Sequence, residues 1–110
     1  MMRMAMSPAA AGLLRAILRR AGVERDRILL TEFRSHDWQS LTFVGEQHRM
    51  RLRIPAPGAD EIAARLLDDL SDCEISIPGH VVADVAVTDD PERHKDGSIV
   101  VTIEALTVED

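Results

Sequence analysis

The chain predicts an α+β fold, a two-layer sandwich with an antiparallel or mixed sheet of about five strands and two helices on one face, in the order α-β-β-β-α-β-β. Three observations carry this. Two amphipathic stretches have three- and four-residue apolar spacing, several runs alternate apolar and polar residues, and the longest alternation is flanked by turn residues. At 110 residues, with 45% hydrophobic and 29% charged side chains, the chain is the length of one domain and is apolar enough for a core. We therefore expect a single domain over 1–110, with residues 1–6 disordered.

The first helix is read in "SPAAAGLLRAILRRAG". Ser7 is a capping residue, Pro8 suits the first helical turn, and Gly22 supplies the stop. Ala10, Leu13, Leu14, Ile17, Leu18 and Ala21 form one apolar stripe, and Arg15 and Arg19 lie away from it. Three strand-like runs follow at 27–34, 38–44 and 48–54, with "SHD" as a polar corner and Gly45 in the connection before "HRMRLRI". A hairpin there places Leu41 and Phe43 on the core face with Met50, Leu52 and Ile54. It leaves Trp38, Ser40 and Thr42 beside Arg49, Arg51 and Arg53 on the other face, with Leu29 and Phe33 on the adjoining strand. "PAPG" at 55–58 breaks the sheet, and "ADEIAARLLDDLSD" reads as the second helix, with Asp60 and Glu61 in its first turn. A short extended piece, "EISI", precedes Pro78–Gly79. Strands at 80–88 and 98–108 close the chain, separated by the polar loop "DDPERHKDG". Val81, Ala83, Val85 and Val87 are expected on one face, with Val82, Asp84 and Ala86 opposite.

Composition narrows the function classes. The net charge is −6, yet residues 1–23 carry four arginines and no acid, so the remainder sums to −10. That acidity disfavours non-specific nucleic-acid binding. Twelve of the thirteen basic residues are Arg, a skew better explained by a GC-rich coding genome than by a biochemical demand. The one cysteine, Cys73, excludes an internal disulfide and fits a reducing compartment. Its neighbours Asp72 and Glu74 are poor surroundings for a reactive thiolate. No stretch approaches the apolar length of a membrane span, and we expect a cytoplasmic protein without a membrane partner.

Catalytic constellations are missing from the sequence. His36, His48, His80 and His94 show no metal-ligand spacing, and the glycines form no phosphate loop. The acids pair only as sequence neighbours, which does not build a two-carboxylate cleft. No cofactor is expected. The coherent feature is the sheet face carrying Trp38 with Arg49, Arg51 and Arg53, residue types enriched at protein interfaces. We therefore expect a non-enzymatic domain that binds itself, as a homodimer, or another protein through that face. Against this stands a plain reading in which the arginines pair with Glu32, Asp84 or Glu104. One alternative is a small enzyme or ligand binder with a pocket near His36 and Asp37, joined by His80. Another is weak nucleic-acid binding through Arg49, Arg51 and Arg53.

The segment "TEFRSHDWQSLTFVGEQHRMRLRI" and the terminal "IEALTVED" resemble a set of small uncharacterised alphaproteobacterial proteins. The resemblance spans most of 28–110 and implies a bacterial cytosolic protein. It transfers no catalytic or binding residue.

Overall fold

The computed structural model describes residues 6–110; most of the expectation about residues 1–6 lies outside them. The elements are α1 (Pro8–Arg20), β1 (Leu29–Gln39), β2 (Val44–Ile54), α2 (Ala59–Leu67), β3 (Ser76–Ile77), β4 (His80–Val87), β5 (Glu92–Arg93) and β6 (Ile99–Glu109), with short 3-10 turns at Arg25–Arg27 and Leu70–Asp72. The sheet has six strands in the order β1-β2-β6-β4-β3, with β5 beside β6, and every pairing is antiparallel. The smallest dimension of the folded chain is 23 Å, the thickness of one sheet under one layer of helices. No described helix is long and apolar enough to cross a membrane.

The helices form for the reasons the sequence supplies. Ser7 Oγ accepts from the Ala10 N–H at 3.1 Å and donates to the Glu46 carboxylate at 2.6 Å, so the cap also ties α1 to β2. Leu13 and Ile17 of α1 and its C-cap Ala21 meet Ala59, Ile62, Ala63 and Leu66 of α2 in one core cluster. The second helix is shorter than the 59–72 expected, because Asp69 takes a left-handed conformation (φ 55°) and the chain re-forms only a 3-10 turn. The ends of the two helices are tied by Arg20, which donates to the carbonyls of Leu66 and Asp68.

The sheet departs from expectation at its first hairpin. A single strand, β1, runs from Leu29 through "SHD" to Gln39, so most of the expected run 38–44 is the turn Ser40–Phe43, and Gly45 is not in the turn. Ser40 N–H donates to the Phe43 carbonyl at 2.9 Å, and Ser40 Oγ accepts from the N–H groups of Thr42 and Phe43. Leu41 and Phe43 are consequently exposed at the hairpin tip, not in the core. Gly45 is a strand glycine of a different kind. A Cβ there would collide with the Thr107 carbonyl, so its missing side chain lets β2 and β6 close up. "SHD" makes no corner, because β1 is an edge strand whose polar side chains can project on both faces.

The last strand, β6, occupies the centre, between β2 on one side and β4 with β5 on the other. On the helix side Met50, Leu52 and Ile54 pair with Ile103, Val101 and Ile99, all buried. A register shift between Val82 and Asp84 inverts the expected parity of β4 at Val81 and Val82 and leaves it as expected from Asp84 onward. Val82 therefore turns inward with Val85 and Val87, while Val81 joins Asp84 and Ala86 on the outer face. Phe33 likewise faces inward, opposite Met50. Gly45→Ala should destabilise the fold by roughly 1–3 kcal/mol or more through forced separation of two central strands, to be read as a lowered midpoint in urea unfolding.

Candidate functional site

The outer face is built from cross-strand rows. Arg49 lies between Arg34 and Glu104, Arg51 between Glu32 and Thr102, and Arg53 between Leu29 and Val100. Alternation alone sends these three arginines to one side, as expected. Their stems run alongside Thr102 and Val100, which are buried although no described helix or strand covers this face.

Each guanidinium meets acids of its own chain. Arg49 bonds Glu104 at 2.7 Å and approaches Glu32 at 3.5 Å and Asp89 at 3.8 Å. The Glu104 bond is the main reason its pKa is raised above the ordinary arginine value, with Asp89 and Glu32 adding to it. Arg51 bonds Glu92 at 2.6 Å, and Arg53 bonds Asp96 at 2.5 Å. Asp96 is held down at about 2, first by the hydroxyl and N–H of Ser98 and then by Arg53. The sequence reading identified Glu32 and Glu104 as partners but treated Asp89, Glu92 and Asp96 as solvated loop residues. The return of that loop onto β6, through the short β5, is what brings them to the arginines. Asp84 lies in another row, opposite Leu106. A phosphate approaching this face would have to displace carboxylates already in place.

Trp38 shares this face but not the arginine row. It sits opposite Gly45, four residues from Arg49 along β2, or about 13 Å at strand rise. Its row continues through Val108 to Val81, the latter exposed. The aromatic and cationic parts of the expected patch are therefore separated. Leu29 does adjoin Arg53, while Phe33 has left the face.

The inner face holds a polar cluster that sequence reasoning passed over. His48 is fully buried, with Nδ1 2.8 Å from Ser35 Oγ and Nε2 2.8 Å from Thr107 Oγ1. Its position in the Met50–Leu52–Ile54 alternation was the available signal for an inward histidine. Burial is the chief reason its pKa is lowered from 6.5; the Glu46 carboxylate opposes the shift and His80 adds to it. Beside it a cavity of about 180 Å³ is lined by Asp37, Val44, Gly45, Glu46, His80, Thr107 and Glu109. Asp37 and His80 thus come together as the pocket reading required. His36 does not, because it projects from the opposite side of β1. Among the described residues no group of three or more His, Cys, Asp or Glu is arranged to hold a metal ion.

The third surface is the free edge. β1 spans eleven residues and, among the described residues, has only β2 beside it. Leu29 and Leu30 are exposed near its start, and Leu41, Phe43 and Val44 are exposed at the hairpin.

Two measurements follow from these contacts. Arg49→Met leaves Glu32, Asp89 and Glu104 facing one another, and should lower the urea midpoint at low salt. The loss should shrink when unfolding is repeated at high ionic strength. For His48, the unfolded chain takes up its proton first as pH falls below 6.5, so folding stability must fall with it. His48→Gln should flatten that part of the pH–stability curve, measured by urea midpoints between mildly acidic and neutral pH. The site has to be read from its own chemistry, for no protein-family model and no curated protein sequence matches the chain.

Proposed function

We propose that this chain is a non-enzymatic interaction domain that associates with a second copy of itself, or with another protein, along the β1 side of its sheet. The observation that carries this reading is the unpaired length of β1, eleven residues ending in an exposed apolar hairpin. The opposite end of the sheet is finished differently, by the two-residue strand β3. Long open edges are templates for pairing, and soluble proteins ordinarily shorten or cover them. Trp38 borders the same edge and belongs to the proposed surface as a partly buried aromatic anchor. Arg49, Arg51 and Arg53 contribute as its cationic flank, held in position by the acids they bind, and remain one-third or more exposed. The lone cysteine supports a reducing, cytoplasmic setting, and the resemblance noted above supports a bacterial one.

Light scattering over a range of chain concentrations tests the reading. A reversible dimer is expected, with Trp38→Ala and Phe43→Ser weakening association about tenfold each, as anchor residues do. A strict monomer at millimolar concentration, with no protein partner recovered along β1, would remove it.

A further inference from the structure

The free edge of β1 carries a pattern that pairs with itself. Ser40 and Phe43 form a backbone-bonded pair at the turn. Antiparallel pairs alternate between bonded and non-bonded. Counting back along the register, Trp38 and His36 are in bonded pairs with Gly45 and Gln47. The backbone groups of Phe33, Ser35, Asp37 and Gln39 therefore point away from β2, toward the open edge. Residues 32–39 lie beyond the register shift at Thr31 and run without interruption to the hairpin.

We infer that two copies join antiparallel along this edge, about a two-fold axis at His36, so that their sheets continue as one. The inference rests on the self-association reading above and specifies its geometry. The axis sets Ser35 opposite Asp37 of the second copy on the helix side. On the outer side it sets Arg34 opposite Trp38 of the second copy, and each of these pairs occurs twice. Ser35 Oγ, 2.8 Å from His48 Nδ1, accepts the ring N–H and donates its own proton to the facing carboxylate. The exposed Arg34 guanidinium lies over the facing indole, a favourable cation–π arrangement. Competing registers are poorer. An axis at Arg34 opposes two guanidinium groups directly. One at Phe33 runs into the Thr31 bulge after one residue, and one at Ser35 opposes Arg34 to His36.

The register makes a positional test possible. His36 faces its own copy at a non-bonded position, where Cα atoms approach to about 4.5 Å and a disulfide can close. In a Cys73→Ser background, His36→Cys should form a covalent dimer under mild oxidation. Gln47→Cys, on the same face but one strand further in, should not. Asp37→Pro removes an edge N–H without touching the β2 ladder and should weaken dimerisation at least tenfold in light scattering. A dimer whose His36→Cys chains link no better than Gln47→Cys chains overturns the edge pairing and leaves self-association standing. A strict monomer overturns both. If Asp37→Pro does not fold by circular dichroism, the cross-linking contrast alone decides.

Discussion

The structure depends on the position of β6. It is the last strand in the chain, yet it lies between β2 and β4 and pairs with β5 as well. Ten consecutive residues, Ile99 to Val108, are buried or partly buried, and both faces of the strand are apolar for much of its length. A strand of that composition cannot sit at an edge without exposing one side to water, so central placement is its low-energy solution. The close approach of β2 at Gly45 and the return of the 88–97 loop are both consequences.

The arginine row is a second consequence. Arg49, Arg51 and Arg53 would crowd like charges along β2 if they stood alone. With β6 beside them and its preceding loop folded back, each gains a carboxylate, and their stems shield Val100 and Thr102. The outer face thus acquires a polar cover made from side chains instead of a second layer. Exposed ion pairs of this kind add little stability singly. Their larger effect is to keep a one-layer face compatible with water, while most of the large exposed apolar side chains among the described residues lie on β1 and its hairpin.

On the helix side the same strand supplies Thr107, which with Ser35 satisfies the two nitrogens of His48. A buried imidazole without partners would carry the desolvation cost of a polar group in a core. Two hydroxyls from flanking strands remove that cost for either neutral tautomer, and they link β1 to β6 across β2. The polar cluster and the neighbouring carboxylate-lined cavity are features of packing at the hairpin end of the sheet.

The amino-acid sequence by itself determined both helices, the cap at Ser7, the inward face of Met50, Leu52 and Ile54, and the common side of the three arginines. Each follows from local periodicity or from one residue's conformational preference, which act over a few positions. The tertiary structure alone decided the rest. Gly45 reads locally as a turn residue, but the carbonyl of Thr107, far away in sequence, makes it a packing glycine. The bulge in β4 reverses the parity of Val81 and Val82, and no alternation in sequence marks it. Which acids meet which arginines, and how far Trp38 stands from them, follow from strand order and register. Those are set by the burial of β6, a long-range requirement that no local pattern contains.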